Sequence, residues 1–319
     1  MQILQYELSE EDCYNVFFLK KLISDEKGNA LLLVSLSLVG LLAITGLVID
    51  GGTIYMTKSH LQKVANAAVL SGAQELTNNE SSVTSVVNEV IAAHNESDII
   101  QNLSITIEKK VAIDLDKEVS LSFSKLFGKD SVDVYSHAAA ELRTMGRAYG
   151  AAPLGIDESI ALEFYKEYKL KVDSFGVEYG NFGVLALGGP GAKTYEDNLR
   201  YGYQDEIKIG DILETQTGNI AGKTRSAVQE RVNGCNELPQ DVNDRDCSRV
   251  VLIPVYQPYN HTSNQLKTVK VTGFAYFYIT EPMDQKDTSI TGMFIKRAGT
   301  GFEEPDSLNK GAYSIRLTE

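Results

Sequence analysis

Only three cysteines and seven prolines occur in 319 residues, and tryptophan is absent. Three cysteines are too few for a disulfide-dense miniature scaffold. So few prolines, with 26 glycines, leave no room for a collagen-like fibre or a proline-rich spacer. Basic residues are in deficit as well: 30 Lys and Arg stand against 43 Asp and Glu, a formal net charge of −13. A chain of this balance presents no broad basic surface to neutralise phosphates, so nucleic acid is not an expected partner. What the chain does have is apolar material. At 43% hydrophobic and 23% charged it can bury one large core or two ordinary ones.

The longest apolar run, ALLLVSLSLVGLLAITGLVI at residues 30–49, contains no charge. As a helix rising 1.5 Å per residue it reaches across about 30 Å of hydrocarbon. Its eight Leu, three Val and two Ile contribute about −4 to −8 kcal/mol to insertion, which outweighs the milder cost of Ser35, Ser37 and Thr45. A buried core helix seldom runs this long without a polar face. A cleavable secretory signal has a shorter apolar region ending in an Ala-x-Ala-like site, and none ends this run. The sequence therefore predicts a single transmembrane helix over 30–49 and membership of the lipid bilayer. Lys20, Lys21 and Lys27 precede the span, against Lys58 and Lys63 after it, which orients the N-terminus inside. Everything from Asp50 onward then faces the outside. An oxidising exterior suits a bridge between Cys235 and Cys247, and a reducing cytosol suits a free Cys13. Unpaired loop thiols remain the alternative, because closeness in sequence does not fix the Cα separation that a bridge requires.

Beyond Asp50 the apolar residues Ile54, Leu61, Val64, Ala65, Ala68 and Leu76 recur at helical spacing. Small residues crowd that helix, at Ala65, Ala67, Ala68, Ser71, Gly72 and Ala73, and permit close packing on the protein's own sheet or on a neighbouring subunit. A second helix is expected over 82–94, capped by Ser82 and lined by Val83, Val86, Val87, Val90 and Ile91. Three strands follow on period-two alternation at Leu103, Ile105 and Ile107, at Val119, Leu121 and Phe123, and at Val132 and Val134. Apolar runs at 172–177, 182–187, 250–256 and 269–279, set among Gly, Asn, Asp and Pro, predict a mostly β outer domain. The expected class is α+β. The organisation reads as a cytoplasmic tail at 1–29, the span at 30–49, an α+β module at 50–143, a linker at 144–153, a β-rich extracytoplasmic domain at 154–297 and a loose tail at 298–319.

The stretch EKGNALLLVSLSLVGLLAITGLVIDGGTIYMTKSHLQKVANAAVLSGAQEL resembles the N-terminal domain of the TadE/TadG-like Flp pilus-assembly proteins of bacteria. That family shows Glu-x-Gly, an apolar span, Asp, Tyr, then Leu-Gln and an alanine-rich helix. Here Gly28, Asp50, Tyr55, Leu61, Gln62, Ala65, Ala67 and Ala68 occupy the pattern, and Asn66 stands where relatives often carry Asp. GNFGVLALGGPG, RYGYQDEIKIGDILETQTGNIAG, CSRVVLIPVY and VTGFAYFYI look like the outer domain of Tad-domain proteins of Gram-positive bacteria. The adhesion motif Asp-x-Ser-x-Ser of larger relatives does not occur. Pseudopilin-type relatives are cut after a Gly like Gly28 and carry Glu five residues on. Leu33 holds that position here, so the expectation is an uncleaved anchor. The resemblance implies a membrane-anchored, non-enzymatic component of pilus assembly or a related surface secretion system. Its partners would be other Tad subunits or pilins, and the cell wall, without a cofactor, metal or small-molecule substrate. A minor pilin within the filament and an anchored enzyme acting on envelope glycans are the alternatives.

Other motifs are weaker. Gly188, Gly189 and Gly191 before Lys193 and Thr194 lack the spacing of a phosphate loop, and Ala192 precedes the lysine, so a turn is expected. Asp241, Asn243, Asp244 and Asp246 are hard oxygen donors, but without the Gly and Glu of a calcium loop they read as a solvated acidic turn. His60, His94, His137 and His261 are scattered without ligand spacing. Glu206, Asp211 and Glu214 are expected in a hairpin and would serve a glycosidase only if they converged in a cleft. Sixteen Tyr, among them Tyr195, Tyr201, Tyr203, Tyr256, Tyr259, Tyr276 and Tyr278, point to a contact surface or a strand core.

Overall fold

A computed structural model describes residues 29–97, 99–171, 183–216, 220–235, 244–259, 267–286 and 289–318. The expectations attached to Cys13, Gly28, the tail before residue 29, the run 172–177, Asp241, Asn243 and His261 lie outside the described residues. The fold is α+β, with one long apolar helix at the N-terminal end and β structure dominating the C-terminal part. The chain divides into two compact units. One combines the described residues up to Leu61 with Asp116–Ser136; the other combines Gln62–Leu115 with the described residues from His137 onward.

Helix α1 (Asn29–Gln74) is continuous through Gly46, Gly51 and Gly52. From residue 31 to 49 its large apolar side chains are exposed, Leu31, Leu41 and Val48 among them. Among the described residues it is the helix long and apolar enough to cross a membrane. In the same unit, the chain after strand β2 (Lys110–Ser120) turns through a 3-10 helix at Ser124–Phe127 before strand β3 (Ser131–Ala148). Leu121 and Phe123, expected to extend a strand, sit at this turn instead. Three successive main-chain N–H groups there find their acceptor in Asp50 rather than in a neighbouring strand.

In the second unit α1 buries Val64, Ala65, Ala68, Val69 and Ala73, and Leu76 just beyond its end is buried too. Helix α2 (Glu80–Ala93) buries Val83, Val87 and Ile91. Asn79, not Ser82, caps it, its side-chain oxygen accepting the Ser82 amide at 3.0 Å. Gly72 is where the two helices meet, since a Cβ there would stand 2.7 Å from Val87. The small-residue stripe thus serves packing within the chain at these positions.

The described strands form two mixed sheets. The first runs β1 (Ile100–Thr106), β2, β3, β15 (Ala312–Leu317), β12 (Arg297–Ala298), with β7 (Ile207–Lys208) and β13 (Gly301–Glu303) also on β3. The second runs β5 (Glu167–Lys171), β11 (Ser289–Ile295), β10 (Thr268–Ile279), β9 (Val250–Tyr259), β4 (Leu154–Asp157), β6 (Gly183–Val184). Strands β8 (Ile212–Glu214) and β14 (Leu308–Asn309) also pair with β10. Alternation explains why β10 is apolar over its second half, residues 273–279. Ala275, Phe277 and Ile279 enter one core cluster, while Phe274, Tyr276 and Tyr278 enter the other, so both faces are buried. Helices α3 (Ala192–Tyr201) and α4 (Ala221–Asn233) cover the first face through Tyr195, Leu199, Ala227, Val228 and Val232.

Three boundaries differ from expectation. The region 144–153 is not a linker: β3 continues to Ala148, Met145 and Ala148 are fully buried, and the Ala152 amide donates to the Leu252 carbonyl at 2.7 Å. The region 298–319 is not a loose tail, because β15 pairs antiparallel with β3 from Tyr313 opposite Thr144 to Leu317 opposite Ala140. Nor does the first sheet close at Arg143, since that last strand completes it. The outer part also carries α3 and α4, whose short apolar spacing among many charges hid them in the sequence.

Candidate interaction surface

Asp50 ends the apolar stretch of α1 and is only 4% exposed. Its carboxylate accepts the main-chain N–H of Ser122 at 2.9 Å, Phe123 at 3.0 Å and Ser124 at 2.6 Å. Those donors open the 3-10 helix and have no partner within it, and a carboxylate is a strong acceptor for such groups. One helical turn earlier, Gly46 is buried against Phe123, and a Cβ there would lie 2.5 Å from the ring. Lys58 donates to the Tyr135 carbonyl. Tyr55 stays 76% exposed.

Further along α1, Leu61 is fully buried, as are Ala65 and Ala68, while Asn66 and Ala67 are half-buried. The Gln62 side-chain amide donates to Asn66 Oδ1 at 3.1 Å and to the His137 carbonyl on β3 at 2.8 Å. His137 Nδ1 in turn lies 2.5 Å from Asp114 Oδ1 on β2. The hydrogen bond to that imidazole, then the one from Asn102, lower the Asp114 carboxyl below its ordinary value.

Cys235 and Cys247 form a disulfide with Cα atoms 5.1 Å apart. Arg249 donates to the Cys235 carbonyl at 2.9 Å and to the Thr280 carbonyl at 2.8 Å. The residues before Cys247 are held too, since Arg297 donates to the carbonyls of Asp244 and Arg245, and Arg245 pairs with Glu75 at 2.8 Å. A cavity of about 420 Å³ lies beside them, lined by Arg245, Arg297, Tyr276 and Ile315. Its arginines are already bonded to carbonyls and to Glu75.

The three acids have separate partners or strands. Glu206 accepts from Tyr149 at 3.0 Å just before β7 on the first sheet, Asp211 accepts the Lys208 amide at 2.9 Å, and Glu214 belongs to β8 on the second sheet. The stretch 188–191 is a turn, with positive φ at Gly188, Gly189 and Gly191, leading into α3. Most of the tyrosines proposed as contacts are core: Tyr195, Tyr256, Tyr276 and Tyr278 are buried, and Tyr201 is exposed. Among the described residues no group of three or more His, Cys, Asp or Glu could hold a metal ion. Sequence reasoning missed Phe123 and the turn that receives Asp50. The sequence carried no signal that singled out Gly46, which is one of two glycines in the apolar run, Gly40 being the other.

The polar landmarks Asp50 and Gln62 thus fasten the helix to its own chain. Residues 28–75 match the Tad family, described as putative Flp pilus-assembly TadE/G-like. The Tad-like segment covers α1 from its start past Gln74, including Asp50, the Leu61–Gln62 pair and the alanine-rich turn. The match supports involvement in Flp/Tad pilus assembly and association with a membrane. No curated protein and no solved structure matches the chain.

Proposed function

We propose that this protein is a single-pass, non-enzymatic component of the Tad/Flp pilus-assembly machinery, or of a related surface secretion system, in the bacterial cytoplasmic membrane. The observation that carries the reading is the Tad-like segment at 28–75, coincident with a helix whose first twenty residues expose a continuous apolar surface. A helix that shows leucine and valine all round needs an apolar surrounding, and a bilayer provides one over this length. The residues after Asp50 would be extracytoplasmic, as the lysine distribution and the Cys235–Cys247 bridge favour. Its work would be binding: other assembly subunits or pilins, and the cell wall, through the outer sheets. Gly28 and the polar landmarks of α1 would specify that role, with the chain left uncleaved.

Impermeant maleimide applied to intact cells, before and after reduction, tests topology and bridge together. Labelling of Cys235 and Cys247 only after reduction, with Cys13 silent until lysis, is the expected pattern. Labelling of Cys13 from outside would place the sheets in the cytosol and defeat the proposal. Loss of pilus assembly on deleting the gene, with shed filaments lacking the protein in the parent strain, separates an assembly component from a minor pilin.

A further inference from the structure

The 3-10 turn after β2 leaves Leu126 81% and Phe127 70% exposed. Single exposed apolar residues are ordinary on any protein, but this adjacent pair occupies a special place. The turn is pinned to the end of the apolar stretch of α1: the Asp50 carboxylate holds the amides of residues 122–124, and the Phe123 ring lies on Gly46. Gly46 is four residues before Asp50, about 6 Å deeper along the helix. Phe123 is thus fixed at the depth of the apolar run, with Leu126 and Phe127 on the same short turn.

The backbone of the turn is equipped for a place poor in water. Beyond the amides taken by Asp50, the Leu126 N–H donates to the Phe123 carbonyl at 3.0 Å. Gly128 donates to Lys125 at 3.0 Å, and Lys129 to Ser124 at 3.2 Å. Near hydrocarbon every unsatisfied N–H is costly, so a turn that meets lipid must provide its acceptors itself. Lys125 and Lys129 flank the apolar pair and are exposed, with Lys125 3.7 Å from Asp130. Their flexible stems can reach lipid phosphates while the ammonium groups stay wet.

We propose that the turn at 124–127 is a second membrane contact. Leu126 and Phe127 enter the boundary between headgroups and acyl chains of the bilayer that α1 crosses, and Lys125 and Lys129 meet anionic headgroups. The contact fixes the depth and rotation of the helix relative to the turn, a task one smooth apolar helix performs poorly. The proposal rests on the reading of residues 30–49 as a bilayer span.

The absence of tryptophan makes the test direct. Full-length Phe127→Trp and, separately, Leu38→Trp are reconstituted in vesicles of phosphatidylethanolamine and phosphatidylglycerol carrying bromine either near the headgroups or at mid-bilayer. The Phe127→Trp indole is expected to emit to the blue, to lose the larger part of its emission to shallow bromines, and to resist aqueous iodide. Adding Asp50→Ala releases the turn and reduces that quenching. If Leu38→Trp is quenched by deep bromines while Phe127→Trp is quenched by iodide alone, the span stands and the second contact is refuted. If neither responds to bromine, the span itself fails and the contact with it. An unchanged response on adding Asp50→Ala refutes the pinning.

Discussion

The backbone of Gly46 lies so close to Phe123 that a Cβ atom at residue 46 would stand 2.5 Å from the ring. The ring cannot withdraw cheaply, because its own Cβ is 2.6 Å from the same point and its amide is tied to Asp50. Gly46→Ala is therefore expected to cost about 1–3 kcal/mol through overpacking. Phe123→Ala should restore part of that loss in a double-mutant cycle, since the clash needs both partners. Additive effects, measured by denaturant titration in detergent micelles, would show that the two residues do not meet.

Asp50 offers a second test in the same place. Asp50→Ala leaves three amides of the turn without their acceptor, and a lost partner in a shielded site costs more than the bond itself is worth. Faster hydrogen exchange at Ser122, Phe123 and Ser124 is expected, with α2 unaffected. Asp50→Asn keeps one oxygen acceptor and should fall between. Equal exchange in all three proteins would mean that the carboxylate does not hold the turn.

The bridge between Cys235 and Cys247 closes a loop of sequence separation 12. Closing a loop of that order is worth about 2–4 kcal/mol, mostly by restricting the unfolded chain. Replacing both cysteines by serine should lower Tm by several degrees, about 1–2 °C per kcal/mol in a chain of this size. The folded arrangement should persist, because Arg249 and Arg297 hold both ends of the loop independently. Collapse of the fold in the double variant would contradict that independence.

The long apolar helix was legible because length and composition alone mark it: twenty consecutive uncharged residues are long enough to cross a bilayer. Strands β9 and β10 were legible for a related reason, since burial on both faces writes a continuous apolar run. The middle of β2 was missed although Val111, Ile113 and Leu115 alternate and are fully buried, because Lys109 and Lys110 before them and Asp114, Asp116, Lys117 and Glu118 around and after them surround so short an alternation with charge. Strand β15 was missed because only Ala312, Tyr313 and Ser314 of its residues are buried, too few to set a pattern. The function of Asp50 could not be read at all. Its partners are main-chain amides about seventy residues away, and amides carry no sequence signature.

Buried phenols give the chain a defined response to alkali. Tyr276 is pushed up to about 12 by burial, with Arg297 working in the opposite direction. Burial raises Tyr195 and Tyr256 as well, against a smaller lowering contribution of Thr224 at Tyr195. The Tyr195 and Thr224 hydroxyls lie 3.0 Å apart, and the Thr224 hydroxyl is also 3.0 Å from the Ile220 carbonyl. A folded-state value raised above the unfolded one, about 10 for tyrosine, means the folded chain keeps protons that the unfolded chain has lost. The stabilisation is complete below about pH 10 and drains away as pH rises through the folded value, by a few kcal/mol for Tyr276 alone. Phenolate absorbance should therefore rise in two stages, the exposed tyrosines first and the buried ones together with unfolding. Tyr276→Phe should remove part of the alkaline loss of stability. A single titration step near pH 10 in a chain still folded by circular dichroism would show that these hydroxyls are not buried.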